Sequence, residues 1–72
     1  MIKTQIENNA RKIRSFLDES QISSVFEIEK QLSMQRQDIL MALGWLARED
    51  KIYFIGHENN YKIMIVDDRY DE

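Results

Sequence analysis

The sequence contains no cysteine and a single histidine, His57. Disulfides and thiolate metal sites are thereby excluded together, and one imidazole cannot build a zinc site alone. No apolar run approaches the ~20 residues that a membrane-spanning helix needs. Met1-Ile2-Lys3-Thr4-Gln5 also lacks the apolar stretch of a signal peptide, so a cytoplasmic location without a membrane partner is expected. No glycine-rich loop is available to cradle phosphates, and His57 falls in a turn with no serine or cysteine nucleophile beside it. Asp67, Asp68, Asp71 and Glu72 lie in a terminal segment, where no pocket can shift their pKa values. This inventory predicts a protein that is not an enzyme, with no cofactor, metal or small-molecule ligand.

What is present fits one small folded domain. Hydrophobic residues make up 43% and charged residues 32% of the 72 positions, unlike a disordered chain. A domain of this size buries only ~60% of the surface its unfolded chain exposes and needs reinforcement. With disulfides and metals removed, oligomerisation remains, and a homodimer is the simplest form of it. The net charge of −3 is unevenly placed. Residues 1–33 and residues 34–66 are each balanced, and the excess lies in the acidic 67–72, expected to be a disordered tail beyond a domain spanning 1–66. A balanced body is a weak electrostatic footprint for nucleic acid.

The first 20 residues have helical period. Ile2, Ile6, Ala10, Ile13, Phe16 and Leu17 form one stripe, predicting a core-facing helix over 3–18 with Thr4 and Glu7 at capping-box spacing. Lys3/Glu7, Glu7/Arg11 and Arg14/Asp18 are i,i+4 pairs, which reads as a solvated ion-pair face in preference to a phosphate patch. Ser24 and Glu27 form a second capping box, opening a short helix over 25–32 with Val25, Ile28 and Leu32 on one face. Ser33 is expected to cap a third helix over 34–49 across a tight turn.

Near Lys51 the apolar spacing changes to two. Residues 52–55 and 61–66 read as strands joined by a loop of about five residues, 56–60. Two strands alone are marginal in water, so the hairpin must lie against the helices. Helix, helix-turn-helix, then hairpin is an α+β winged helix-turn-helix: three helices followed by a two-stranded β-hairpin wing.

The run Ala42-Leu43-Gly44-Trp45-Leu46-Ala47-Arg48-Glu49-Asp50-Lys51-Ile52 resembles a small bacterial winged helix-turn-helix family of unknown function. Where that family carries Ala-Gly and Val-Trp pairs in its first helix, this chain has Ala10-Arg11 and Ile13-Arg14. The resemblance implies a winged-helix fold and a DNA-binding role, and it supplies no ligand or catalytic residues.

Two candidate surfaces follow. The first turn of the third helix offers Gln35, Arg36 and Gln37, whose side chains suit bidentate pairing with adenine or guanine in double-stranded DNA. His57, Asn59, Asn60 and Lys62 of the wing could touch the minor groove or backbone. Polar residues at a helix start and a turn tip are ordinarily just solvated, which is the plain alternative. On the third helix Ile39, Leu40, Leu43, Leu46 and Ala47 project to the core, with Arg36 nearer that side. Met34, Gln37, Asp38, Met41, Trp45 and Arg48 project outward, and the aspartate is unfavourable near phosphates. The second surface is apolar. Both faces of the hairpin are hydrophobic although only one can cover the helices, so Tyr53, Ile55, Met64 and Val66, extended by Met41 and Trp45, form a candidate protein or subunit interface. The two readings, a DNA-binding regulator acting as a homodimer and an interaction module without DNA, both remain open on the sequence.

Overall fold

A computed structural model describes residues 1–57 and 60–66 of the chain. The element order is α1 (Ile2–Ser20), β1 (Ile22–Ser23), α2 (Val25–Leu32), α3 (Arg36–Arg48), β2 (Ile52–His57) and β3 (Asn60–Ile65). The fold is α+β, three helices against an antiparallel sheet of order β1-β3-β2. The wing is therefore larger than the expected two strands. Ile22 pairs with Met64 and Ser23 with Ile63, adding a short third strand.

The helix ends explain the departures from the sequence pattern. α1 begins at Ile2 with Met1 as its N-cap and no side-chain cap, so Thr4 and Glu7 lie inside the helix and form no capping box. It runs to Ser20 and stops because Gln21 turns left-handed (φ 72°) and donates its N–H to the Leu17 carbonyl at 2.7 Å. The expected α1 ion pairs do not close: among the described residues only Arg36 and Glu29 come within salt-bridge distance. Ile2 is 67% exposed and leaves the core stripe, while Ile6 and Phe16 are half-buried.

α2 has the expected bounds. Ser24 Oγ accepts from the Glu27 amide at 3.1 Å, and Glu27 Oε1 accepts from the Ser24 amide at 3.0 Å, closing the box. Ser33 does not cap α3. It is the left-handed C-cap of α2 (φ 53°), and α3 starts after Gln35, which makes no side-chain cap bond. α3 ends in a Schellman-type turn: Asp50 is left-handed (φ 60°), its N–H bonds to the Ala47 carbonyl and that of Lys51 to the Leu46 carbonyl.

α1 crosses α3, and the inner face of the sheet closes over both. Ala10, Ile13 and Leu17 meet Ile28 of α2, Ile39, Ala42, Leu43 and Leu46 of α3, and Ile52, Ile63 and Ile65 of the sheet. Leu40, assigned to the core face by projection, is 45% exposed, and Ala42 takes its place. Total stability of a 72-residue domain is roughly 4–11 kcal/mol. One Ile→Ala change at Ile13, Ile28 or Ile63, all fully buried, removes about 2–5 kcal/mol of that.

β2 and β3 pair without interruption from Ile52↔Ile65 to His57↔Asn60. The five-residue loop of the sequence pattern is thus strand at Gly56, His57 and Asn60. Gly56 (φ 117°) makes this possible: a Cβ there would sit 2.6 Å from the Asn60 carbonyl oxygen. Only a residue without that carbon lets the strands approach so closely. The acidic segment 67–72 lies outside the described residues.

Candidate nucleic-acid interface

β1 covers only the Met64 and Ile63 positions of β3, so among the described residues the wing end of β3 has a free edge. The N-termini of α2 and α3 approach that edge, leaving an open cleft of about 520 Å³. Ser24, Val25 and Phe26 line it from α2, and Arg36 and Leu40 from α3. Asn60, Tyr61 and Lys62 close it from the wing. Strand parity adds backbone to the lining. Ile65 donates its N–H to the Gln21 carbonyl on the β1 side, so Ile63 and Tyr61 direct their amides and carbonyls the same way. At Tyr61 no β1 residue is there to receive them.

Arg36 is exposed along much of its length and is held by Glu29 of α2, with Nε to Oε2 at 3.1 Å and Nη2 to Oε1 at 3.4 Å. The bidentate bond to Glu29, then its negative charge, raises the arginine pKa above its ordinary value. Glu27 is shifted the other way. The Ser24 amide, and after it the Ser23 hydroxyl at 3.1 Å, stabilise its carboxylate. Lys30 stands 5.5 Å above the Phe26 ring.

The candidate DNA residues divide accordingly. Gln35 and Gln37 are exposed at the start of α3. Arg36 and Lys62 share the cleft, and His57 and Asn60 face each other at the outer end of the hairpin. Asn59 lies outside the described residues. Phe26, Tyr61 and Glu29 are not singled out by the sequence, and Leu40 is placed by it on the core face. An i,i+7 pair spanning the turn between two helices has no local spacing that would reveal it.

The candidate apolar set is split. Ile22, Met64 and Tyr53 form one row across all three strands on the outer sheet face, with Ile55 beside them. Tyr53 is 47%, Ile22 44% and Ile55 42% exposed, and the Tyr53 hydroxyl reaches Met64 Sδ at 3.5 Å. Val66 is half-buried beyond the end of β3. Met41 is exposed on α3 in a stripe with Gln37, Gly44 and Arg48, separate from the sheet. Trp45 does not extend that stripe: it is half-buried on the core and lines a second cleft with Arg11 and Arg14 of α1.

Among the described residues no three His, Asp or Glu side chains come together as a metal site, and no helix is long and apolar enough to cross a membrane. A helix-turn-helix whose second helix stands beside a β wing defines a winged-helix protein. The chain belongs to the family described as winged helix-turn-helix domain (DUF2582), whose sequence model matches residues 1–66. No curated protein and no solved structure matches the chain.

Proposed function

We propose that the protein binds double-stranded DNA as a homodimer and serves as a small cytoplasmic transcriptional regulator without catalytic activity. The observation that carries this reading is the convergence of both helix N-termini and the wing strand on one cleft holding Arg36 and Lys62. A winged helix grips a duplex by this arrangement, with the start of the second helix in the major groove and the wing on the backbone. Gln35 and Gln37 then face base edges, while Arg36, Lys62 and the Tyr61 amide face phosphates. The folded unit in this reading is 1–66, with the acidic 67–72 carried outside it. A balanced body makes one copy a weak binder, and two half-sites in a dimer compensate.

The test is a fluorescence anisotropy titration with duplex DNA at two salt concentrations. The two cationic phosphate contacts per protomer, Arg36 and Lys62, imply an affinity loss of ~100-fold between ~50 mM and ~200 mM salt for a dimer. Binding that stays millimolar at the lower salt overturns the reading.

The exposed row Ile22–Met64–Tyr53 favours a second reading, a protein-contact module without DNA binding. Under it, Tyr53→Lys abolishes association while Lys62→Ala has no effect.

A further inference from the structure

β2 is an edge strand of unusual composition. Such edges are ordinarily blunted by charge, proline or a bulge, because their open N–H and C=O groups template pairing with another chain. Ile52-Tyr53-Phe54-Ile55-Gly56-His57 has no acid, lysine, arginine or proline, and its ladder with β3 has no bulge. Tyr53, Phe54 and Ile55 are 47%, 46% and 42% exposed, Phe54 in edge-on contact with the Tyr61 ring (centroids 5.5 Å apart), so consecutive residues on both faces of the strand are only partly covered by the described residues.

The direction of the free backbone groups follows from parity. Ile65 bonds toward β1, and the Val66 amide bonds to the Lys51 carbonyl, so even-numbered residues of β3 face β2. Their partners Tyr53, Ile55 and His57 are engaged with β3. Ile52, Phe54 and Gly56 therefore direct their amides and carbonyls to the outer edge, which no other described strand pairs.

We infer that β2 pairs antiparallel with β2 of a second copy, about a two-fold axis at Phe54. This specifies the homodimer of the proposed function. The register is the one that uses every open residue. Phe54 faces Phe54 of the second copy, Ile52 faces Gly56 and Gly56 faces Ile52, each pair exchanging two hydrogen bonds. Tyr53 then lies opposite Ile55 on the outer face, an aromatic–β-branched pair of the kind that stabilises sheets. A half-residue shift of the axis would oppose open groups to groups already bonded within β3.

Charge selects a second copy over a foreign strand. A neutral strand meets its own copy without like-charge repulsion, whereas a charged partner strand finds nothing here to pair with. The size of the contact sets its strength. The three exposed side chains offer roughly 250 Å² per copy, well under the ~800 Å² per partner of a standard interface. Such a small contact makes a weak dimer, with a dissociation constant on the order of 100 µM.

The experiment is done without DNA, so its outcome is separate from whether DNA binds. Sedimentation velocity from about 10 µM to about 500 µM brackets that constant. The mass should rise toward twice 8.7 kDa for the unmodified chain and for Met41→Lys, and stay at one copy for Phe54→Lys. In the unmodified chain, hydrogen exchange at the Phe54 and Gly56 amides should slow as concentration rises, while exchange at Tyr53 and Ile55 stays constant. This readout does not depend on how any variant folds. A chain that remains single at every concentration, exchange at Phe54 and Gly56 that ignores concentration, or dissociation by Met41→Lys alone overturns the inference.

Discussion

Glu29 of α2 receives the guanidinium of Arg36 in α3, Nε to Oε2 at 3.1 Å, across the turn that joins the two helices. The pair holds the arginine side chain against α2 at the mouth of the cleft. Exposed pairs of this kind are weak, so a phosphate can displace the carboxylate. The pair sets the resting position of Arg36 without locking it.

Glu29→Gln is accordingly expected to strengthen DNA binding. Removing one unit charge ~4 Å from a cation in water changes its affinity for an anion about fivefold. Anisotropy titrations of the variant and the unmodified chain at ~50 mM salt measure the change, where phosphate contacts are strongest. Unchanged or weaker binding would show that Arg36 does not meet phosphate.

The Ser24 cap should matter more to stability than its exposure suggests. Ser24→Ala removes the bond to the Glu27 amide and is expected to cost ~1 kcal/mol, read by urea denaturation. Glu27 makes that contribution depend on pH. Its folded pKa is depressed, first by the Ser24 amide, so its part is present above the ordinary carboxylate range and is lost as pH falls through the folded value. Stability should therefore decline less steeply with acid in Glu27→Gln than in the unmodified chain. Parallel acid profiles for the two proteins would refute this.

Gly44 sits in the exposed stripe of α3, and a Cβ there would meet nothing within 4 Å. Gly44→Ala should stabilise the helix by ~1 kcal/mol and raise Tm by about 4–8 °C. A lower Tm in a thermal melt would mean that the helix is not placed as described.

Gly56 has the opposite sign. Its φ of 117° and the 2.6 Å approach to the Asn60 oxygen leave no room for a side chain. Gly56→Ala is expected to destabilise by about 1–3 kcal/mol and to disturb cross-strand contacts between His57 and Asn60 in NMR spectra. An unperturbed hairpin would contradict the register.

The parts of the fold legible in the sequence were those written in local spacing. α2 is bounded by a reciprocal box of adjacent residues, Ser24 and Glu27, and the change of period at Lys51 marks the entry to the sheet. β1 was not legible, because Ile22-Ser23 is too short to show a period and its partner Met64 is distant in the chain. The start of α3 was misplaced because Ser33 looks like an N-cap by residue type, yet its left-handed backbone ends the preceding helix. Gly56 read as a turn because glycine marks both turns and close strand approaches, and only the Asn60 contact separates them. Of the residues that chemistry and position suggest, Arg36, Asn60 and Lys62 line the cleft, while Gln35 and Gln37 are exposed outside its lining. Glu29 was not legible, and neither was the loss of Trp45 to the α1 side. Both depend on how helices pack against each other.

The most direct measurement is amide chemical-shift mapping of the labelled protein during titration with a short DNA duplex at low salt. Shifts grouped at residues 24–26, 35–40 and 60–62, and diminished by Lys62→Ala, are expected if the cleft meets DNA. Absence of shifts at saturating duplex, or shifts confined to Ile22, Tyr53 and Ile55 on the outer sheet face, would contradict a nucleic-acid role for it.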